Sequence, residues 1–156
     1  MHGVVHVIDD IPVAVDELTE VYDTATMCQL IRKKYLTNKI VIYPDASGAS
    51  RKTSATKTDF GIIQDAGFII RSKKVNPGVE DRIKTMNRMF ADGKGNIRYK
   101  VNVLKCPVYV EALERMGRDK NEQPDKHSGF DHITEAGGYF IYYAYPPNKR
   151  KGQKAL

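Results

Sequence analysis

The chain of 156 residues lacks the features of several large classes of protein. No apolar run approaches the ~20 residues that a helix needs to span a bilayer. The N-terminus also lacks the basic region and long apolar stretch of a secretory signal. The two cysteines, Cys28 and Cys106, are isolated, so they make neither a disulfide framework nor a zinc motif. We therefore expect reduced, buried thiols in an intracellular protein.

The sequence also lacks internal repeats, a linker to a second domain and any G-x-x-x-x-G-K-[ST] loop. One domain is expected, because this length is enough to bury a core without disulfide staples. Without the phosphate-binding loop, these residues do not form an ATPase of that class. Hydrophobic residues at 41% and charged residues at 28% are ordinary for a soluble globular protein.

Positive charge is in excess. A net charge of +6 and a pI of about 9.2 favour polyanions as partners, although they do not identify one. We interpret the C-terminal tail, residues 147–156, as a flexible basic extension of a domain that covers residues 1–146. The basic stretches are Arg51, Lys52 and Lys57; Arg71, Lys73 and Lys74; and the tail with Lys149, Arg150, Lys151 and Lys154.

Apolar periodicity predicts alternating strands and helices. The predicted strands cover residues 3–15, with a bend at Pro12, 39–43, 68–70, and 97–103, which could form one arm of a hairpin. The first two predicted helices cover 24–36, capped at Asp23-Thr24, and 59–66. The third is capped by Asn76 and runs to Phe90, and the fourth begins at Cys106-Pro107 and turns Val110 and Leu113 inward. The last runs from near Asp131 to before Pro146. This alternation predicts a mixed or parallel α/β sheet covered on both faces.

Asp45 is the first candidate for chemistry. It follows the short apolar run 39–43, which is typical of a buried parallel strand, and it precedes a loop rich in serine, glycine and basic residues. Proteins with α/β folds bind ligands at such positions. An aspartate after proline is equally typical of a simple turn. Position alone therefore leaves both interpretations open.

The last predicted helix carries a second pair of acids. Asp131 and Glu135 are four positions apart, so they share a face, roughly opposite the apolar side of the helix. A shared cation would relieve their repulsion. The alternative, which the residues alone favour, is a capping-box spacing with Ser128 and a solvated Glu135. His132 between the acids could assist catalysis or bind metal, although an exposed histidine near a helix start is more often neither.

Three further features are weaker leads. Asp9 and Asp10 follow a strand and could supply another carboxylate, but acids at strand ends are usually solvated. Gly137 and Gly138 inside a helix cost about 2 kcal/mol relative to alanine, which predicts close packing of this helix against the sheet. The remaining histidines have no recognisable spacing and are assigned no role: His2, His6 and His127.

Several short motifs occur in the order found in one family. From about Gly3 to Pro146, the chain resembles the nuclease domain of large terminase subunits from tailed bacteriophages, particularly those with a YPD-type second acidic motif. No single motif is decisive, but the ordered set is hard to obtain by chance. The motifs are Tyr43-Pro44-Asp45 with Ala46-Ser47-Gly48 and Arg51-Lys52-Thr53; Thr58-Asp59 to Ala66-Gly67-Phe68; Asn76-Pro77 with Asp81-Arg82; and Asp131-His132 to Glu135-Ala136 and Tyr139.

The resemblance implies a ribonuclease-H-like fold and hydrolysis of DNA phosphodiesters with two Mg²⁺ or Mn²⁺ ions held ~4 Å apart by carboxylates. Asp45 matches the family's acid at the end of the second central strand. His132 matches the histidine of the last motif. Glu135 occupies that motif's aspartate position, with Asp131 as the reserve ligand. The residues that resemble basic positions near the cut strand, and would contact phosphates without reading sequence, are Arg51, Lys52 and Lys126.

The sequence departs from the family pattern at two places. The longer side chain of Glu135 alters the geometry of the last motif. The family's first catalytic acid also lies on a strand upstream of the segment that matches residues 4–15. We therefore expect the first strands and the first acid to be missing, the isolated chain to be a poor nuclease, and an exposed sheet edge to favour self-association.

The resemblance implies double-stranded DNA, the phage portal protein and the small terminase subunit as partners, in the cytoplasm of an infected or lysogenic bacterial host and without a membrane. Two other functions remain open. A catalytically incomplete remnant would only bind DNA or dock on the portal, and metal binding at Asp45 and Glu135 would distinguish a nuclease from it. Another ribonuclease-H-like nuclease, such as a junction resolvase, would prefer four-way junctions to linear duplex.

Overall fold

The computed structural model describes residues 1–50, 56–116 and 129–147. Its elements, in chain order, are β1 (Gly3–Ile8), β2 (Pro12–Leu18), α1 (Thr24–Lys34), β3 (Val41–Ile42), a 3-10 helix (Ala46–Ala49), α2 (Asp59–Asp65), β4 (Ile69–Ile70), α3 (Val79–Phe90), β5 (Lys100–Val101), α4 (Pro107–Arg115) and α5 (Asp131–Ala144). The strands form a mixed sheet in the order β1-β2-β5 and a parallel pair, β3-β4. The predicted mixed α/β architecture is confirmed. None of the helices described is long and apolar enough to cross a membrane.

The N-terminal apolar segment folds as a hairpin, so the single bent strand predicted for residues 3–15 is wrong. β1 and β2 pair antiparallel, and Asp9 and Asp10 lie exposed in the turn between them. Short acidic side chains favour such turns, and pairing satisfies backbone groups that a lone strand would leave open. β5 is shorter than the predicted strand 97–103, and it joins β2 in parallel instead of forming a hairpin arm.

The helix starts follow the capping signals only in part. Asp23 caps α1 as predicted, by accepting a hydrogen bond of 2.7 Å from a backbone N–H in the first turn. The prediction that Asn76 caps α3 is wrong, because Gly78 occupies the cap position. The side chain of Asn76 instead accepts a hydrogen bond of 2.8 Å from the backbone N–H of Ala46. This bond ties the segment before α3 to the loop that follows β3.

Helix α5 lies at the centre of the main core and packs against α3, α4 and β1. Two glycines allow the close approach. A Cβ added at Gly137 would lie 2.6 Å from Cζ of Tyr109 on α4, and one added at Gly138 would lie 2.8 Å from Cδ of Arg82 on α3. The predicted close packing at the glycine pair is confirmed, but the partners are two helices and not the sheet.

Helix α4 presents a different face to the core from the one predicted. Tyr109 and Ala112 are fully buried, whereas Val110 and Leu113 are only partly buried. The tyrosine ring fills the space that Gly137 leaves open, which turns that side of α4 inward. The shape of α5 therefore decides which face of α4 turns toward the core. The apolar pattern of α4 alone does not predict that face.

A second, smaller core surrounds the parallel pair β3-β4. Cys28 of α1, Ile63 of α2 and Phe68 just before β4 form its buried centre. Cys106 lies in the main core instead. Both thiols are free and buried, as the isolated cysteines predicted.

A chain of buried polar side chains crosses the main core. Nε2 of His6 lies 2.8 Å from the hydroxyl of Tyr99, which donates a hydrogen bond of 3.0 Å to the hydroxyl of Tyr109. The ring of His6 also stacks on that of Phe140, with centroids 4.1 Å apart. Burial lowers the pKa of His6 to about 3. The imidazole is therefore neutral in the folded protein at ordinary pH.

Replacing Gly137 with alanine should destabilise the fold by about 1–3 kcal/mol, the usual range for overpacking a core. The added methyl would overlap the buried ring of Tyr109, and this outweighs the better helix propensity of alanine. Urea unfolding would measure the change. Gly93→Ala is the matched control, because nothing lies within 4 Å of a Cβ added there. A Gly137→Ala variant as stable as the parent would show that the ring moves aside without loss.

The lowered pKa of His6 predicts a pH dependence of stability. The unfolded chain gains a proton at His6 near pH 6.5, and the folded chain gains it only near pH 3. The contribution of His6 is thus fully present above pH 6.5 and is lost as the pH falls toward 3, by at most about 1.4 kcal/mol per pH unit. Between about pH 7 and about pH 5, the free energy of unfolding should fall less steeply for His6→Gln than for the parent. Equal slopes for the parent and His6→Gln would contradict the prediction.

Candidate active site

Asp45 lies just after β3, at the start of the 3-10 helix. One carboxylate oxygen, Oδ1, accepts a hydrogen bond of 2.7 Å from the backbone N–H of Ser47 and so caps that helix. The other, Oδ2, accepts a hydrogen bond of 2.8 Å from the hydroxyl of Tyr139 on α5. The side chain of Asn76, which accepts from the backbone N–H of Ala46, lies near enough to lower the pKa of the same carboxylate. Three parts of the chain that are distant in sequence therefore meet around Asp45: the segment from β3 to the 3-10 helix, the segment before α3, and α5.

The charge of Asp45 is strongly favoured. Burial raises the pKa of this carboxyl, but the hydrogen bonds from Ser47, Asn76 and Tyr139 outweigh burial and lower the pKa to about 2. Burial also raises the pKa of Tyr139, and the bond to Asp45 and the charge of Glu135 raise it further. At neutral pH the ionised carboxylate of Asp45 therefore accepts the hydrogen bond that the neutral hydroxyl of Tyr139 donates.

Glu135 lies one helical turn before Tyr139 and has a cationic partner. Nη2 of Arg82 on α3 lies 3.0 Å from Oε1 of Glu135. The guanidinium also lies over the ring of Tyr139, 5.0 Å from its centroid. The side chain of Arg82 is only 5% exposed, against 28% for that of Glu135. Glu135 is thus only partly exposed, and a buried arginine is paired with it.

Asp131 lies in different surroundings: it is buried, although the helical wheel places it roughly opposite the apolar side of α5. It is 6% exposed, because α5 is enclosed by α3, α4 and β1. Within the described chain its Oδ1 is buried without a hydrogen-bond partner. Its Oδ2 lies 4.0 Å from Nδ1 of His132, whose side chain is 69% exposed. The ring of His132 stacks on that of His2, with centroids 6.1 Å apart.

The predicted acids are therefore brought together only in part. Asp45 contacts α5 through Tyr139, and Glu135 lies within electrostatic range of the same hydroxyl. Asp131 is eight residues from Tyr139, which is about 12 Å along a helix axis. The structure thus groups Asp45 and Glu135, and it leaves Asp131 and His132 at the other end of the same helical segment. The catalytic and metal-binding roles of all four remain predictions.

A centre for two divalent ions needs more carboxylates than these contacts leave available. Across residues 1–50, 56–116 and 129–147, no group of three or more His, Cys, Asp or Glu side chains is arranged to hold a metal ion. Both oxygens of Asp45 accept hydrogen bonds, and Glu135 is paired with Arg82. The described residues alone therefore do not fit the two-ion centre that the resemblance implied.

One predicted basic stretch lies near Asp45. The backbone N–H of Arg71, just after β4, donates a hydrogen bond of 2.9 Å to the carbonyl of Ile42 on β3. Because β3 and β4 are parallel, the segment with Arg71, Lys73 and Lys74 leaves the sheet at the same end as Asp45, and these three residues are exposed. The other predicted phosphate contacts lie outside the described residues: Arg51, Lys52 and Lys126.

Sequence reasoning gave no site role to three residues that complete this arrangement. They are Asn76, Arg82 and Tyr139. A signal existed for Arg82, since it lies three positions after Val79 and four before Met86, on the apolar stripe of α3. A charge on such a stripe indicates a buried partner. Tyr139 follows Glu135 by one turn, but nothing in the sequence indicates that its hydroxyl reaches Asp45.

Comparison with known proteins shows the family of the chain. A family model described as a terminase RNaseH-like domain matches residues 2–144. No curated protein and no solved structure matches the chain. The matched range includes Asp45 and all of α5, and it confirms both the resemblance and the RNaseH-like fold. Such a domain indicates a nuclease role in packaging. The chain belongs to the family of terminase RNaseH-like domains.

Proposed function

We propose that this domain cuts double-stranded, concatemeric DNA during phage genome packaging, with Asp45 as its essential carboxylate. The observation that supports the proposal is the hydrogen bond between Asp45 and Tyr139, which joins the acid after β3 to the helix that carries Glu135 of the last motif. These are the two acids that the family resemblance assigned to catalysis. The low pKa of Asp45, about 2, keeps it negatively charged at the pH of a cell.

The reaction would be hydrolysis of a phosphodiester, in which water attacks phosphorus as the bond to the leaving oxygen breaks. Nucleases of this kind use Mg²⁺ or Mn²⁺ to activate the water and to stabilise the leaving oxygen. We propose the same requirement here, with Asp45 and Glu135 as metal ligands, Asp131 as the reserve ligand and His132 as a residue that assists catalysis. This assignment rests on the family resemblance, because the described residues alone do not fit two ions.

The DNA would be held by its phosphates, without strong sequence preference. The exposed residues Arg71, Lys73 and Lys74 leave the β3-β4 sheet at the same end as Asp45, which favours them as contacts beside the cut strand. Arg51, Lys52 and Lys126 are proposed as further contacts on the family resemblance. In the host cytoplasm, the portal protein and the small terminase subunit are the proposed protein partners, and self-association through a sheet edge is proposed as well.

One observation favours a second candidate function, a module that binds DNA or the portal without cutting. Arg82 neutralises Glu135, and the described chain offers no third acid for a metal site. Such a module would keep the phosphate contacts and lose hydrolysis. DNA binding without cleavage in either Mg²⁺ or Mn²⁺ would favour this candidate.

Asp45→Asn should abolish DNA cleavage, because an amide cannot replace the negative charge at the end of β3. We expect the parent chain to nick plasmid DNA slowly in millimolar Mn²⁺ and the variant to lose about 100-fold or more of that rate, the loss typical of a removed catalytic group. A plasmid-nicking assay would measure it, with far-ultraviolet circular dichroism to verify the fold. Glu114→Gln, at an exposed acid on α4, is the control and should cut at the parent rate. Undiminished cleavage by Asp45→Asn would remove Asp45 from the mechanism.

The double variant Lys73→Ala/Lys74→Ala should weaken binding to duplex DNA equally for all sequences. Loss of two phosphate contacts should also reduce the slope of log affinity against log salt by about 2. Fluorescence anisotropy over a range of salt would measure both. The control is Lys94→Ala/Lys105→Ala, which removes the same charge at exposed positions on either side of β5. Equal losses in the two double variants would show only a general charge effect.

A further inference from the structure

Resting on the function proposed above, we infer that Arg82 is a built-in counter-cation of the acid pair: it holds Glu135 when no divalent ion is bound and opposes the binding of such an ion. The inference starts from the mismatch between the described donors and a two-ion centre. The position that a cation would take beside Glu135 is occupied by a guanidinium of the same chain, 3.0 Å away.

Contacts on several sides fix the position of the Arg82 side chain. Its aliphatic stem packs on Gly138, where an added Cβ would lie 2.8 Å from Cδ and 3.0 Å from Cγ. Its guanidinium is held between Glu135 and the ring of Tyr139. The side chain is almost fully buried, so it has little freedom to turn toward solvent. Gly138 and Tyr139 of α5 thus fix Arg82 where it meets Glu135, one turn earlier on the same helix.

The charges explain why this contact should oppose a metal ion. Two carboxylates would attract a divalent cation, but a fixed positive charge next to one of them repels it. Breaking the pair is also costly, because removing Glu135 would leave the buried charge of Arg82 uncompensated. The acid pair is therefore satisfied without a metal. A divalent ion must displace Arg82 from Glu135 or bind at Asp45 alone.

The chain contains a matched control for the test. Arg32 on α1 is partly buried, donates a hydrogen bond of 2.8 Å to the carbonyl of Ala66, and lies over the ring of Phe68 at 4.5 Å. It thus makes one hydrogen bond and one ring contact, as Arg82 does, but the hydrogen-bond acceptor is a neutral carbonyl. Arg82→Met and Arg32→Met remove the same charge and keep a similar stem. A difference between them in metal binding reports on the acid partner.

The experiment measures Mn²⁺ binding to the full chain by titration calorimetry, for the parent, Arg82→Met, Arg32→Met, and Asp45→Asn in the parent and Arg82→Met backgrounds. Arg82→Met should bind Mn²⁺ about tenfold or more tightly than the parent, since the opposing unit charge is gone. Arg32→Met should stay within about twofold of the parent. An Arg82→Met variant that is folded but binds no more tightly than the parent would overturn the inference.

Two further readouts keep the test decisive. If Arg82→Met loses stability in chelator, millimolar Mn²⁺ should raise its unfolding midpoint more than it raises that of the parent, because a ligand that binds the folded state stabilises it. A variant that stays unfolded in Mn²⁺ would count against the inference. If Asp45→Asn leaves the tight binding of Arg82→Met unchanged, the proposed metal site at Asp45 fails instead. If Asp45→Asn abolishes Mn²⁺ binding but Arg82→Met leaves it unchanged, only the role of Arg82 as counter-cation is contradicted.

Discussion

The pair Gly137-Gly138 decides how closely α3 and α4 pack against α5 in the main core. Two glycines weaken α5 by about 2 kcal/mol relative to alanines. In return, the ring of Tyr109 and the stem of Arg82 approach the helix backbone more closely than any Cβ would permit. These contacts fix α4 and α3 on either side of α5. The direction of Glu135 and Tyr139 follows from that placement, because both leave the same helix within one turn of the glycines.

The hydrogen bond between Tyr139 and Asp45 is one of the contacts that connect the two cores. Tyr139 belongs to α5, whereas Asp45 ends β3 in the sheet that the smaller core surrounds. Asn76 supports the same loop by accepting from the backbone N–H of Ala46. Asp45 is therefore as much a structural junction as a candidate for catalysis. Its low pKa has the same origin, since the donors that lower it are the ones that join the elements.

Sequence reasoning succeeded where local signals decide the outcome. The cap of α1 at Asp23, the short parallel strands and the position of Asp45 after β3 are all local properties of the chain. The prediction of a single strand over residues 3–15 was wrong because an apolar run interrupted by a proline resembles one bent strand. The two aspartates before that proline form a turn instead. Turn chemistry at Asp9 and Asp10 outweighed the continuous β propensity around it.

The acids of α5 show why a helical wheel failed. A wheel assumes one buried face, but α5 is enclosed on several sides, so Asp131 is buried although it lies opposite the apolar residues. The partners of Glu135 were equally hidden, because Arg82 is 53 residues away in sequence and meets it only through the packing at Gly138. Long-range pairing of this kind depends on how α3 packs against α5. A short segment of sequence does not show that packing.

The balance of charge around Asp45 bears on what family membership means for activity. A fold is shared by members with and without a given chemistry, so the chemistry must be argued from the site. Two carboxylates and one guanidinium leave a net charge of −1 among Asp45, Glu135 and Arg82. A divalent ion gains less from that arrangement than from two unpaired acids, and a second ion would gain less still. The described residues thus form a site that is stable without metal, and a productive one requires negative ligands in addition to this pair.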